Sequence, residues 1–85
     1  MVAPAPLEFT AHAREAIRER GIPLEWVFAA FADPDRTEEH DDGTRHYLKR
    51  MILADNRVLR VVINPSPAPI VVTAFLDRRL RKPNP

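Results

Sequence analysis

The sequence has no cysteine, only two glycines and no long apolar segment. The lack of cysteine excludes disulfide bonds, thiolate nucleophiles and thiolate metal sites, and it fits a reducing compartment such as the cytoplasm. No apolar run reaches the roughly 18 residues of a membrane-spanning helix, and residues 1–6 lack the basic start and apolar stretch of a signal peptide. We therefore expect a cytoplasmic protein with no membrane contact.

The chain of 85 residues is long enough for one hydrophobic core and too short for two. We predict a single domain over residues 1–85, with a globular core at residues 7–80 and flexible tails at residues 1–6 and 81–85. A domain of this size buries only about 60 to 65% of its unfolded surface. Because a partner chain would add to so modest a stability, a homo-oligomer is one expected arrangement.

Charge is unevenly distributed along the chain, although the net charge is only +1. Residues 1–44 contain four Lys or Arg and ten Asp or Glu, whereas residues 45–85 contain nine and two, which gives −6 and +7. A basic surface attracts RNA phosphates or an acidic protein partner. The alternative is internal complementarity, in which the acidic part of the chain neutralises the basic part.

Two helices are predicted in the acidic part of the chain. Thr10 is a suitable N-cap, and the helix that follows should end at Gly21, which adopts a left-handed conformation at little cost. Pro23 suits the first turn of a second helix, which Asp33-Pro34 should end. The second helix has a complete apolar face at helical spacing. That face consists of Leu24, Val27, Phe28 and Phe31.

Three strands are predicted in the basic part of the chain. Their limits are residues 45–53, 57–63 and 70–76. Asp55 and Asn56 suit a tight turn between the first two strands, and the acidic residues 35–44 are expected to form a loop with at most a short edge strand. The order of elements predicts an α+β domain in which two N-terminal helices pack on one face of a three- to four-stranded antiparallel sheet.

Strand alternation predicts which side chains face the helices. The apolar face of the second helix, with a buried Phe28, should pack against Leu59, Val61 and Ile63. Arg60 then points to the opposite, open face, with Thr73 beside it in the simplest register. Because Arg60 would pack against nothing apolar there, its truncation to alanine is expected to leave the fold intact.

Histidine and arginine are the residue types that could carry chemistry. Histidine titrates near neutral pH, so one of the three histidines could transfer protons. His40 precedes two aspartates, but no second histidine follows at ligand spacing, so no metal is predicted. Arginine matches phosphate geometry and stabilises the charge at a scissile phosphate without a metal. A phosphate-binding surface could be formed by Arg45, Lys49, Arg50, Arg57, Arg60, Arg78, Arg79, Arg81 and Lys82.

Several short segments occur along the chain in a specific order. They are His12-Ala13, Glu19-Arg20-Gly21-Ile22, Trp26-Val27, Asp33-Pro34, Arg57-Val58-Leu59-Arg60-Val61-Val62, Val72-Thr73-Ala74-Phe75 and Asp77-Arg78-Arg79. Their order resembles the bacterial family called domain of unknown function 4258, and the resemblance extends from about Phe9 to Lys82. That family is similar to the BrnT and RelE toxins, small proteins of a ribonuclease fold that a cognate antitoxin often neutralises.

The resemblance implies a compact sheet with two leading helices and also implies positions for functional residues. His12 matches the histidine that opens the family's first helix, Arg20 the basic residue before the helix-ending glycine, and Arg45 the arginine after the acidic loop. Arg78 matches the arginine after the last strand. The chain departs from the family pattern at Ala16, where many members have arginine, and it lacks the C-terminal tyrosine of RelE-type enzymes.

We therefore predict a metal-independent endoribonuclease toxin of a toxin-antitoxin pair, with RNA and an acidic antitoxin as partners and with no cofactor. The alternatives are a non-catalytic module that binds RNA or protein through the basic sheet face, and a small structural or dimerisation domain. The predicted catalytic residues are His12, Arg45, His46, Arg60 and Arg78, and the predicted RNA-binding residues are Arg20, Lys49, Arg50, Thr73 and Arg79.

Overall fold

The computed structural model describes residues 7–77, which form two helices and a five-stranded mixed sheet. The elements are β1 (Glu8–Phe9), α1 (Ala11–Glu19), α2 (Leu24–Ala32), β2 (Arg36–Glu39), β3 (Arg45–Met51), a 3-10 turn (Ile52–Ala54), β4 (Arg57–Asn64) and β5 (Ile70–Asp77). The predicted tails and the predicted site residues Arg78 and Arg79 lie outside the described residues. Within residues 7–77, neither helix is long and apolar enough to cross a membrane.

The strands lie in the order β1-β5-β4-β3-β2. Strands β2 to β5 pair antiparallel, and β1 runs parallel to β5, with Glu8 opposite Ile70 and Phe9 opposite Val71. The α+β class with two helices is confirmed, whereas the sheet is five-stranded and mixed rather than three- to four-stranded and antiparallel. Strand β1 has only two residues, too few to produce the alternation that predicts a strand.

The ends of the helices follow the local signals in the sequence. The hydroxyl of Thr10 accepts a hydrogen bond from the backbone N–H of Ala13 at 3.0 Å, and Gly21 adopts a φ of +66° after α1. Helix α2 begins at Leu24 and ends before Asp33, and Pro23 is the extended residue that precedes it, not part of its first turn as predicted. Side-chain capping thus fixes the start of α1, as predicted.

The hairpin between β3 and β4 uses the predicted turn. Asp55 and Asn56 have φ values of 59° and 61°, a left-handed conformation that these residue types tolerate. However, β3 ends at Met51, because Ile52–Ala54 form a 3-10 turn instead of extending the strand. The chain therefore projects Ile52 and Leu53 into solvent, with exposures of 78% and 85%.

The hydrophobic core lies between the two helices and one face of the sheet, here called the helix face. The core residues of the sheet include Leu59, Val61, Ile63, Val71 and Ala74, and those of the helices include Ala13, Ile17, Val27 and Ala30. The prediction of a buried Phe28 is wrong, because Phe28 is 46% exposed and Leu24 is 52% exposed. A nine-residue helix covers only a narrow stripe of the sheet, and Val27 and Ala30 occupy that stripe while Phe28 lies against Phe9 at the rim.

The opposite side of the sheet, here called the open face, carries the alternate residues of each strand. Arg60 stands on it between Leu48 of β3 and Phe75 of β5. In the next row, Val62 stands between His46 and Thr73. The predicted direction of Arg60 and its proximity to Thr73 thus agree with the strand register.

Candidate functional site

Arg60 lies at the centre of a hydrogen-bonded cluster on the open face. Its Nε donates to Oδ2 of Asp77 at 3.0 Å, and its Nη1 donates to Oε1 of Glu38 at 2.9 Å and to Nδ1 of His46 at 2.8 Å. The residue is only 7% exposed. The expectation that Arg60 could be truncated without harm required an exposed side chain, whereas the structure contains a buried one with a buried partner.

The contact with Arg60 fixes the protonation of His46. An arginine has only donors, so Nδ1 of His46 must be unprotonated and the single ring proton must be on Nε2. Burial lowers the pKa of His46, and the nearby His40 and the positive charge of Arg60 lower it further. His46 is therefore held as a neutral imidazole that donates through Nε2.

Glu38 and His40 form a carboxylate–imidazole pair beside His46. The Oε1 atom of Glu38 lies 3.1 Å from Nε2 of His40. Hydrogen bonds from Arg60 and then from His40 lower the pKa of Glu38 to about 2, so this carboxylate stays ionised. Because an ionised carboxylate only accepts, Nε2 of His40 carries a proton, and Nδ1 keeps a lone pair whenever the ring is neutral.

The rings of His40 and His46 stack, with 3.6 Å between centroids and 13° between planes. The two imidazoles thus lie face to face, and their remaining ring nitrogens have opposite hydrogen-bonding capacities. His40 offers an acceptor nitrogen, and His46 offers a donor. Such a pair can remove a proton from one atom and stabilise negative charge on another.

The pairing of β2 with β3 positions this cluster. Glu38 lies opposite His46 in the antiparallel register. The chain then turns back tightly, since the N–H of His40 donates to the carbonyl of Thr44 at 3.0 Å and Asp42 accepts from both the N–H and the hydroxyl of Thr44. This turn holds His40 over the ring of His46.

Glu38, His40 and His46 are also a potential ligand set, because one ligand atom of each lies within 4.8 Å of the others. Two histidines and a carboxylate suit zinc and related ions. However, the lone pair of a ring nitrogen lies in the ring plane, and two nearly parallel rings do not direct their lone pairs to one point. Arg60 also occupies Nδ1 of His46. The observed geometry therefore suits proton transfer better than metal binding.

Three predicted site residues lie away from this cluster. Arg45 and Lys49 extend from the helix face of β3 and form ion pairs with Glu39 at 2.6 Å and with Asp33 at 3.5 Å. His12 is exposed on α1, which covers the helix face. The ion pairs join the basic strands to the acidic part of the chain, so internal complementarity accounts for part of the charge asymmetry.

Two of the predicted RNA-binding residues meet at the outer edge of β5. Nη1 of Arg20 donates to the carbonyl of Ala74 at 2.8 Å and to the hydroxyl of Thr73 at 3.3 Å. Arg50 is exposed on the open face at the other side of the sheet. Among the described residues, the basic side chains predicted to form one surface are therefore distributed over both faces and two edges of the sheet.

Glu38 and His40 were not among the predicted site residues. Their spacing of two residues matches the period of a strand, which is a usable signal. This spacing was not recognised as a strand pattern because the acidic segment was expected to be mainly a loop. The structure instead forms β2 there, and its register brings Glu38 and His40 to His46 and Arg60.

Comparisons with known proteins identify a family but no activity. No curated protein and no solved structure matches the chain. The family described as Domain of unknown function (DUF4258) matches residues 9–76, which is 68 of the 85 residues and includes every histidine as well as Glu38 and Arg60. The chain therefore belongs to the DUF4258 family.

Proposed function

We propose that this protein is a metal-independent endoribonuclease whose catalytic site is the cluster of Glu38, His40, His46 and Arg60. The observation that supports this function most directly is the stacked histidine pair, in which one ring offers an acceptor and the other a donor. Acid–base catalysis requires a proton acceptor and a proton donor held close to each other. RNA is the chosen substrate because its 2′-hydroxyl supplies a nucleophile within the substrate.

In the proposed reaction His40 is the general base. Glu38 orients the ring, as the carboxylate does in a catalytic triad, and Nδ1 of His40 takes the proton of the 2′-hydroxyl. The 2′ oxygen then forms a bond to phosphorus, and the bond from phosphorus to the 5′ oxygen breaks. The 5′ oxygen takes a proton from water, so the products are a 2′,3′-cyclic phosphate and a free 5′-hydroxyl.

His46 and Arg60 have distinct roles in this proposal. Nε2–H of His46 donates to a phosphoryl oxygen as negative charge develops there. Arg60 is a positioning residue, because its hydrogen bond selects the tautomer of His46 and its contact with Glu38 keeps that carboxylate ionised. This differs from the predicted role of Arg60 as a direct phosphate ligand.

The assignment to a toxin-antitoxin pair rests on the resemblance to the BrnT and RelE toxins. A toxin gene should adjoin a gene for a small antitoxin, and expression of the toxin alone should arrest growth. An acidic antitoxin would match the basic strands and tail, and a cytoplasmic location would give access to RNA. A homo-oligomer is compatible with this function and is tested by the mass of the protein in solution.

The test is cleavage of single-stranded RNA in EDTA by the wild type and by His40→Gln. We expect cleavage by the wild type, products that end in a 2′,3′-cyclic phosphate, and a loss of at least about 100-fold in His40→Gln, the lower scale for removing a general base. An RNA with a single 2′-deoxy substitution at the cleaved position should resist cleavage there.

Two outcomes would contradict the assignment. Wild-type protein that cleaves neither free nor ribosome-bound RNA is not an endoribonuclease. Loss of activity in His12→Gln but not in His40→Gln would assign the proton transfer to His12 on α1 instead of to His40 on the open face. Melting curves of both variants establish that they remain folded.

A non-catalytic protein-binding module is the second candidate, because the 3-10 turn exposes two large apolar side chains. Ile52 and Leu53 are 78% and 85% exposed, and the exposed Arg50 lies beside them on one cleft. Apolar anchors rimmed by positive charge suit an acidic partner protein. A protein that binds its partner through Leu53 but cleaves no RNA would have this function instead.

A further inference from the structure

The outer edge of β5 carries a second cluster that the catalytic proposal does not use. A cleft of about 230 Å³ is lined by Arg20, Ile22, Arg57, Phe75 and Leu76. It combines two guanidinium groups with an aromatic ring and aliphatic side chains. We propose that this cleft is a subsite for one unpaired nucleotide of a single-stranded RNA, with its base on Phe75 and its phosphate between Arg20 and Arg57.

The register of β4 and β5 links this cleft to the catalytic cluster. Phe75 lies directly opposite Arg60, on the open face, and is half-buried. The backbone positions of Phe75 on β5 and His46 on β3 are about two strand spacings apart, roughly 10 Å across the sheet, whereas Arg57 and Leu76 line the cleft from the helix face. An RNA strand that crosses the open face and turns around the edge of β5 could therefore contact both sites.

Arg20 is fixed at the entrance of the cleft. Its hydrogen bonds to Ala74 and Thr73 hold the guanidinium against the edge of β5, and its Cζ atom lies 6.0 Å from the centre of the Phe75 ring. Both bonds are donated by Nη1, so the N–H groups of Nη2 and Nε remain for a ligand. The guanidinium lies over one face of the ring, so a base has to stack on the rest of the ring while its phosphate contacts Arg20.

Arg57 supplies the second positive charge. Its Nε donates to the carbonyl of Ala54 at 3.0 Å, which restrains the guanidinium, and Arg57 is one of the residues that line the cleft. Among the arginines of residues 7–77, those that form ion pairs are Arg18, Arg36, Arg45 and Arg60. Arg20 and Arg57 form no ion pair with any described residue. Two cations without a described carboxylate partner attract a phosphate.

The chemistry of the cleft selects unpaired nucleotides. A base inside a duplex is already stacked on both sides, whereas a single-stranded base can lie on an aromatic ring. Stacking is tolerant of sequence, so the subsite should favour single strands without strongly preferring one base. The inference rests on the proposed function only for its choice of RNA as the ligand.

The test uses a labelled single-stranded 2′-O-methyl RNA hexamer, which cannot be cleaved, and fluorescence anisotropy at low salt. Phe75→Leu keeps an apolar side chain but removes the ring, and we expect it to weaken binding by about fivefold or more. Arg57→Gln should also weaken binding and should lower the salt dependence by about one released counterion. The matched controls are Phe28→Leu and Arg14→Gln, which change the same residue types elsewhere on the surface and should bind as the wild type does.

The outcomes separate this subsite from the catalytic proposal. If Phe75→Leu and Phe28→Leu bind the hexamer equally well, the subsite is excluded, whether or not the wild type cleaves RNA. If only Phe75→Leu loses affinity while the wild type cleaves nothing, the subsite stands and the proposed catalysis fails. A duplex of the same sequence that binds as tightly as the single strand would also overturn the inference.

Discussion

The Nη1 atom of Arg60 lies 2.8 Å from Nδ1 of His46, and this contact decides where the imidazole carries its proton. Because the guanidinium can only donate, protonation of His46 on Nδ1 requires that Arg60 move away. A buried cation thus holds a neighbouring histidine neutral, and the same cation keeps Glu38 ionised.

The first prediction concerns the titration of His46. Burial and the charges of His40 and Arg60 lower its pKa, so its midpoint in an NMR titration should lie below the ordinary value of 6.5. The ¹⁵N shifts at neutral pH should report a protonated Nε2 and an unprotonated Nδ1. A midpoint at or above 6.5 would mean that Arg60 does not hold the ring as described.

The second prediction concerns stability against pH. The pKa of His46 is lower in the folded state, so the unfolded chain binds a proton first and stability should fall as the pH drops below about 6.5. The pKa of Glu38 falls from 4.5 to about 2 on folding, so stability should fall again as the pH drops below 4.5 toward 2. Each group contributes at most about 1.4 kcal/mol per pH unit.

Urea unfolding at a series of pH values measures both effects. The variant Glu38→Gln removes one titrating carboxylate, so its stability should decline less steeply than that of the wild type below pH 4.5. Equal slopes in that range would show that Glu38 is not paired with Arg60 in solution.

The third prediction compares two arginines on the open face. The side chain of Arg60 is 9% exposed and contacts the buried Asp77, so Arg60→Met should lower the free energy of unfolding by about 3 to 5 kcal/mol. Arg50→Met, at an exposed position, should change it by about 0.5 kcal/mol or less. Denaturant midpoints of the two variants give the answer, and equal midpoints would refute a buried role for Arg60.

The fourth prediction compares two leucines. Leu59 is 0% exposed in the core, whereas Leu24 is 52% exposed on α2. We expect Leu59→Ala to cost about 2 to 5 kcal/mol and Leu24→Ala to cost about 1 kcal/mol or less. If Leu24→Ala proved as costly as Leu59→Ala, α2 would be rotated to bury the predicted face of Leu24 and Phe28.

Elements fixed by local chemistry could be predicted from the sequence. Thr10 caps α1, Gly21 takes the left-handed conformation after it, and Asp55-Asn56 forms the turn between β3 and β4. These signals depend on backbone sterics and short-range hydrogen bonds, so they act in the same way in any fold. The inward direction of Leu59 likewise follows from simple alternation.

Features that depend on distant partners could not be predicted in the same way. Strand β1 exists only because Glu8 and Phe9 meet β5, more than 60 residues away. The orientation of α2 depends on how much of the sheet it covers, so the exposure of Phe28 could not be deduced from helical spacing. The Arg60 cluster required the register of β2, whose acidic residues do not resemble a strand.

The position of β1 beside β5 also constrains how the chain can fold during synthesis. Helix α1 packs mainly on β5, and the hydroxyl of Thr10 donates to the carbonyl of Val72 at 3.4 Å. An isolated helix of nine residues is not stable in water. Helix α1 therefore becomes stable only after β5 has been synthesised. A nascent chain that lacks residues 70–77 has an incomplete core, and it also lacks Asp77, the buried partner of Arg60.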